Sequence, residues 1–442
     1  CRICSRNLTG WKMKSEKSWG RLGMKFKQTE IGCIPEHWKV LPIRDVTMAV
    51  TDYVANGSFA SLAANVSYKD DKDVAVLIRL VDYNNNFQGN FVYIDDHAYN
   101  FLSKSKLYGG EIIISNVGAN VGTVFRCPTL PYKMSLAPNS IMVKFNENND
   151  FYFHWLKSRN GQQMIKSIVT GSAQPKFNKT NFRQMLVPVP PIEEQNRIAA
   201  ILNAIDDKIN KNRQINDNLQ QQLRTIFKAE FTDNPELENI TQIPLSELCH
   251  VVTKGTTPTT LGKPFVESGI NFIKAESILD DHSIDKSKFA FIDEETNALL
   301  KRSIIHAGDV VFTIAGTLGR FALIDENVLP ANTNQAVAII RADVEKVLPE
   351  YIYTCFIGEW HTDYYAKRVQ QAVQANLSLT TIKSLPIPLL DEAKMSEYLS
   401  LILPLIKAIK TNEAQNEKLA ALRDNLLPKL MSGEIDVSDI QF

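Results

Sequence analysis

Two stretches of the chain hold cationic side chains with no carboxylate among them. Between Phe151 and Ile192 these are Lys157, Arg159, Lys166, Lys176, Lys179 and Arg183; between Tyr364 and Leu390 they are Lys367, Arg368 and Lys383. Clustered Lys and Arg attract polyanions, and a basic patch on one face is the electrostatic mark of a nucleic-acid binder. The 49 basic and 49 acidic residues cancel over 442 positions, so any such attraction is local. A single window of this kind is ordinarily a solvated face. Two of them in corresponding parts of the chain ask for more.

Chemistry beyond binding finds no residues to perform it. A phosphate loop needs G-x-x-x-x-G-K-[ST], but Gly262-Lys263 is followed by Pro264 and lacks the upstream glycine. Neither G-x-G-x-x-G nor the Asn-Pro-Pro-aromatic motif of amino-methyltransferases occurs. The seven histidines never fall at metal-ligand spacing, and of the six cysteines only Cys1 and Cys4 are close. A lone C-x-x-C without a second pair does not specify zinc. Gly118 and Gly122, like Gly316 and Gly319, fit tight turns more simply than anion loops. The expectation is a protein that binds and does not catalyse, with no metal site.

Composition sets the bounds. Hydrophobic content of 44% and charge of 22% are ordinary for a globular protein, and the length implies two to four domains. No apolar run reaches the roughly 20 residues of a membrane span; Leu399 to Ile409 is broken by Pro404 and Lys407. The basic start lacks the apolar middle of a secretory leader. Scattered cysteines suit a reduced, cytoplasmic protein without a membrane partner.

Long helices must position whatever binds. Pro190 and Pro191 followed by Glu193 and Glu194 form a helix start, since proline lacks the N–H that a first turn leaves unpaired and acids suit the positive dipole end. Ile198, Leu202, Ile205, Ile209, Asn212, Asn216, Leu219, Leu223 and Ile226 then alternate by four and three, the seam of a coiled coil. A second seam reads Tyr398, Ile402, Leu405, Ile409, Asn412, Asn416, Leu419, Leu426 and Leu430, its asparagines 200 residues after the first pair. Seam asparagines cost stability but fix register. An antiparallel pairing sets Asn212 against Asn416 and Asn216 against Asn412. Pro404 is expected to bend the second helix, and Ser432-Gly433 to end it.

The segments before the helices repeat as well. Leu41-Pro42-Ile43 is echoed by Ile243-Pro244-Leu245, and Gly110 to Ser115 by Gly308 to Thr313, 198 residues on. Gln174, Thr180 and Pro188 match Gln374, Thr380 and Pro388, 200 residues on. Short β-type runs between glycine and asparagine turns fill both segments. The predicted fold is α+β: two tandem α/β domains separated and joined by two long helices, which form an intramolecular antiparallel coiled coil with a pseudo-two-fold relation. Its parts are a basic, partly disordered tail (1–28), a first domain (29–188), a helix (189–233), a second domain (234–388), a second helix (389–432) and a tail (433–442).

At this point the residues resemble the specificity subunit of type I restriction–modification enzymes, over nearly the whole chain from Glu30 to Asp436. Family members begin with E-I-G-x-I-P-x-x-W, here Glu30 to Trp38. They carry L-x-x-G-[DE]-[IV]-[IV], here Leu107 to Ile113 and Ile305 to Val311. Each target recognition domain ends in P-x-P-P before an E-E-Q helix, here Pro188 to Gln195, and the final helix ends in L-L-x-x-L-x-x-G-x-[IL], here Leu426 to Ile435. The second helix departs from this pattern at Pro386 to Ala393, where the glutamine is replaced.

The resemblance implies a non-catalytic DNA-reading subunit. Two target recognition domains would each read one half of a bipartite double-stranded target, and the helices would dock two modification (methyltransferase) subunits. Restriction (nuclease–translocase) subunits would join that core, and S-adenosylmethionine, ATP and Mg would sit on those partners. A helix of about 36 residues spans about 54 Å, enough to act as a ruler between half-sites. Lys and Arg contact phosphates, while Arg, Lys, Asn and Gln read base edges. On that basis the candidate DNA contacts are Asn56, Ser58, Arg79, Asn116, Lys133, Gln174, Lys176 and Lys179 in the first domain. In the second they are Lys254, Thr256, Thr257, Lys274, Arg320, Gln374 and Asn376, with Gly255-Thr256-Thr257-Pro258 resembling a loop at the family's DNA face. The alternative is a coiled-coil scaffold whose repeated domains bind protein.

Overall fold

After the short strand Leu186–Val189 the chain passes Pro190 and Pro191 and enters a helix of 40 residues, Ile192–Phe231. Glu193 and Glu194 occupy its first turn, where the helix dipole favours anions. The Gln195 side chain reaches back to the Pro190 carbonyl at 2.9 Å, and Trp38 and His37 both bond the Glu194 carboxylate at 2.8 Å. A second helix of 40 residues runs from Glu392 to Met431. It is unbroken across Pro404, whose ring lies on the exposed face. The computed structural model describes residues 25–234, 240–362, 364, 376–438 and 440. The chain divides into two units, residues 1–207 with 420–442 and residues 208–419, so each long helix contributes to both.

In the second unit the two helices run antiparallel, locked by amides. Asn212 donates to Asn416 Oδ1 and to Gln415 Oε1, both at 2.8 Å, and Asn412 donates to Asn216 Oδ1 at 2.8 Å. Asn216 donates in turn to the Ile409 carbonyl at 3.3 Å. Asn212 and Asn216 are buried, so truncating one strands its partner and the desolvation penalty stays uncompensated. Asn216→Ala is expected to cost about 1–3 kcal/mol, read as a lower denaturant midpoint. Asn216→Ala with Asn412→Ala should cost less than the sum of the single changes, because the stranded partner is gone.

The buried seam is not quite the one that periodicity suggests. Ile198, Leu202, Ile205, Ile209, Leu223, Ile402 and Ile409 are buried, but Leu219, Ile226, Leu405, Leu419 and Leu426 are only half-buried. Past Leu223 the buried positions shift to Phe227 and Phe231, and Ile406 is buried in place of Leu405. There the helices face the second unit's core: Phe231 packs edge-on against Tyr351 and Tyr398, and Phe227 against Trp360.

Each unit builds the same two sheets. In the first, Thr47–Asp52, Ser140–Phe145, Ile112–Ser115 and Val124–Arg126 form an antiparallel sheet. A mixed sheet holds Val92–Ile94, Ala75–Ile78, Lys133–Leu136 and Lys106–Leu107, its middle pair parallel. In the second, Cys249–Lys254, Val337–Ala342, Val310–Thr313 and Phe321–Leu323 repeat the antiparallel sheet. Ala290–Ile292, Ile270–Ile273, Ala331–Thr333 and Ile304–Ile305 repeat the mixed one, again with a parallel middle pair. Short strands at the base of each unit, Lys39–Pro42 with Leu186–Val189 and Gln242–Pro244 with Pro386–Pro388, tie entry to exit.

Two further points refine the expected boundaries. Residues 26–28, given to the tail from sequence, belong with Thr29 to a strand paired with Gly32–Pro35. At the other end the second helix stops at Met431, and Gly433 follows at φ +69°, where a Cβ would lie 2.3 Å from Pro35 Cγ. Val437 beyond it is buried in the same core as Trp38, Ile198 and Met431.

Candidate nucleic-acid interface

Strand register brings one end of both sheets together within each unit. In the first unit Asp52 finishes its strand opposite Ile141, Ser115 opposite Ser140, and Ile78 opposite Leu136. Only Ala137, Pro138 and Asn139 separate Leu136 from Ser140, so the two sheet ends adjoin. Ser105 joins them by accepting the Leu136 N–H at 2.8 Å. The segments leaving this end are Tyr53–Ser58, Arg79, Lys104–Ser105, Asn116–Gly122 and the loop 170–176. That loop is fastened to the glycine turn, with Gly118 N–H on the Pro175 carbonyl at 2.9 Å and Phe177 N–H on the Asn116 carbonyl at 3.1 Å.

The second unit repeats the arrangement. Lys254 stands opposite Ala338, Thr313 opposite Val337 and Ile273 opposite Thr333. The segments leaving there are Gly255–Thr257, Lys274, Arg302–Ser303 and Ile314–Gly319, with Leu377 N–H on the Ile314 carbonyl at 2.9 Å. Gly255 is fixed by space. A Cβ would sit 1.9 Å from the Thr333 carbonyl oxygen and 2.6 Å from that of Asn334, so only glycine lets the loop lie this close to the neighbouring strand.

Most candidate contacts read from sequence gather at these ends. Asn56, Ser58, Arg79, Asn116, Gln174, Lys176 and Lys179 do so in the first unit, and Lys254, Thr256, Thr257, Lys274, Arg320 and Asn376 in the second. Lys133 does not: it opens its strand opposite Ala75, at the far end of the sheet, with its ammonium 3.3 Å from Asp96. Gln374 lies outside the described residues.

Several of the gathered side chains are already engaged. Asn56 is consumed by its own unit, donating to Tyr53 O and Ser105 Oγ and accepting the Lys104 N–H at 2.8 Å. Ser58 caps the helix Phe59–Asn65, and Asn116 donates to the Phe177 carbonyl. Arg79 makes a two-pronged bond to buried Asp82 at 2.6 and 3.0 Å, which holds its guanidinium above the usual arginine range. Arg320 makes a two-pronged bond to Asp280, 2.6 Å on each prong. Lys179 pairs with Asp52 at 3.0 Å, Lys274 with Glu276 at 3.6 Å, and Thr257 bonds Gln335.

Pairing has an electrostatic consequence. Asp52, Asp82, Asp280 and Glu276 are all neutralised by neighbours, while Lys176 and Lys254 have no carboxylate partner among the described residues. Two more cations there were missed from sequence, Lys104 and Arg302. Lys104 is exposed beside Asn56, and Arg302 is exposed with its guanidinium 3.5 Å from Thr256 Oγ1. They are 198 residues apart, the repeat's own offset, and each precedes a buried serine, Ser105 or Ser303. Both ends therefore present cations without a carboxylate partner among the described residues, Lys104 and Lys176 in the first unit and Lys254 and Arg302 in the second, along with amides and hydroxyls. That is the equipment for phosphate contact and base-edge hydrogen bonding.

Among the described residues no helix is long and apolar enough to cross a membrane, and no group of His, Cys, Asp and Glu could hold a metal ion. Cys1 and Cys4 lie outside them.

Known proteins share this architecture. The profile of the type I restriction modification DNA specificity domain matches twice, over residues 35–221 and 238–421. The type I restriction enzyme MjaIX specificity subunit of Methanocaldococcus jannaschii is 24% identical over 443 residues, covering 94% of this chain and 98% of that protein. The HindI specificity subunit of Haemophilus influenzae is 21% identical, covering 86% and 98%. Among solved structures, the type I restriction-modification S subunit from M. genitalium superposes with a TM-score of 0.50 at 14% identity, over 89% of this chain and 96% of its own, a likeness of fold.

Proposed function

Because the chain belongs to the type I restriction–modification DNA specificity family, with two copies of that family's domain, we propose that it selects the DNA site at which a modification complex acts. Each unit reads one half of a bipartite double-stranded target through its loop-bearing sheet end. The observation that carries this reading is the duplication itself: the same end, with the same kind of unpaired cations, is built twice in one chain. Two similar readers in one polypeptide suit a target of two half-sites with unread base pairs between them.

The chain performs no catalysis of its own. Methyltransferase subunits dock on the long helices and bring S-adenosylmethionine, and restriction subunits bring ATP and Mg. Free apolar side chains on the helices, Ile215, Leu401 and Leu422, each about half exposed, support docking there.

Selection from random duplex DNA by the chain together with its modification subunit tests the proposal. Enrichment of two short motifs at fixed separation is the expected result. No enrichment, with the same preparation capturing protein partners, would favour the scaffold alternative. In the same assay, a few residues inserted after Asn216 and at the facing position near Asn412 should lengthen the selected spacer; an unchanged spacer rules out helix length as the ruler.

A further inference from the structure

The most exposed large apolar side chain of the described residues stands at the loop-bearing end of the first unit. Phe59 is 82% exposed at the start of the helix Phe59–Asn65, directly after the loop that Asn56 anchors. In the second unit Leu261, 51% exposed, stands 202 residues on, the offset of the strands Thr47–Asp52 and Cys249–Lys254. It closes the short helical turn Pro258–Leu261 that follows the loop anchored by Gly255. Scattered single surface hydrophobics need no explanation. Here the same position is apolar and bare in both units, each next to a loop touched by an unpaired cation. Lys104 bonds the first loop through its backbone, and Arg302 bonds the second through its guanidinium.

An apolar side chain held out beside unpaired cations suits an anionic partner with an apolar interior. Duplex DNA is such a partner, with phosphates outside and base faces within. We propose that Phe59 and Leu261 are apolar wedges that enter the DNA at their unit's half-site, each flanked by a phosphate-binding cation, Lys104 or Arg302. The inference rests on the DNA-reading function proposed above and deepens it. A wedge between base steps partly unstacks them and kinks the duplex. Any enzyme that must take a base out of the stack bears the cost of unstacking, so a wedge on the reading subunit lowers that cost for a modifying partner.

The division of labour is testable because Phe59, Leu261, Lys104 and Arg302 are exposed, and removing them leaves each core intact. The probe is the duplex recovered from the random-DNA selection, carrying 2-aminopurine in one half-site or the other, bound by the chain with its modification subunit. Phe59→Ala should abolish the fluorescence rise in the first unit's half-site only and weaken binding about tenfold. Leu261→Ala should do the same in the other half-site. Lys104→Gln and Arg302→Gln should keep the motif and reduce the slope of log affinity against log salt by about 0.9 each. Full fluorescence and affinity in Phe59→Ala and Leu261→Ala would overturn the wedge. If the unaltered chain selects no bipartite motif, the DNA-reading function itself fails, a separate outcome visible before any variant is made.

Discussion

Gly255→Ala is expected to silence one half of the recognised DNA sequence and leave the other half readable. The added Cβ would fall 1.9 Å from the Thr333 carbonyl oxygen and 2.6 Å from that of Asn334. Both obstacles are backbone, so no rotamer change relieves them. Either the loop Gly255–Thr257 swings away or the strand Ala331–Thr333 shifts, and the Gly255 N–H loses its bond to the Asn334 carbonyl at 3.1 Å. Overpacking of this kind costs about 1–3 kcal/mol, and the displaced loop carries Thr256 and Thr257 with it. The control lies in the other unit. At Gly57 the nearest atoms to an added Cβ belong to the Ser61 side chain at 3.3 Å, which can move, so Gly57→Ala should keep both halves. Selection from random DNA reads the motif and thermal unfolding reads the cost. An intact bipartite motif in Gly255→Ala would refute the prediction.

Mild acid is expected to destabilise the second unit. His282 and His361 are buried there against aromatic rings: His282 stacks on Phe321 at 4.0 Å and His361 meets Phe356 at 5.0 Å. Burial pushes both imidazoles down to about 4, and the Arg224 guanidinium adds to the shift at His282. Unfolded, each would titrate near 6.5. Between about pH 6.5 and 4 the unfolded chain therefore binds more protons, so stability falls as pH falls through that window. A shift of this size corresponds to about 3 kcal/mol per histidine by pH 4. Glu413, raised by burial, works in the opposite direction and offsets part of the loss. Thermal melting should drop steeply below pH 6.5. His282→Asn, which tolerates the left-handed backbone at φ +63°, should flatten the slope. A melting temperature constant from pH 7 to 4.5 would contradict the account.

The long helices were legible because their signals are local. Prolines and acids mark the start of the first, a four–three alternation marks the seam, and Gly433 marks the end of the second. The asparagine pairing was legible because a repeat 200 residues on supplied the partner. The drift of burial from Ile226 to Phe227, and from Leu405 to Ile406, was not. It depends on Tyr351, Tyr398 and Trp360, which a heptad count does not see. The candidate site shows the same division. Residue types suited to DNA were identified, but their partners decide their availability. The bond between Arg79 and Asp82 is three residues away; those between Arg320 and Asp280 and between Lys179 and Asp52 are distant in sequence. Lys104 and Arg302 stood in plain view at the repeat offset, one residue before matched serines, outside the acid-free windows.

Val437 and Met431, packed with Trp38 and Ile198, have a consequence for how the protein is made. Residues 208–419 form one unit from a continuous run of chain and have all their own core residues once that run leaves the ribosome. The other unit precedes it in the chain but lacks Leu430, Met431 and Val437 until the segment after residue 419 has been made. Vectorial folding usually favours the N-terminal domain. Here that order is expected to invert, since the unit entered first keeps part of its core unfilled until the whole of residues 208–419 and the end of the second helix have followed it.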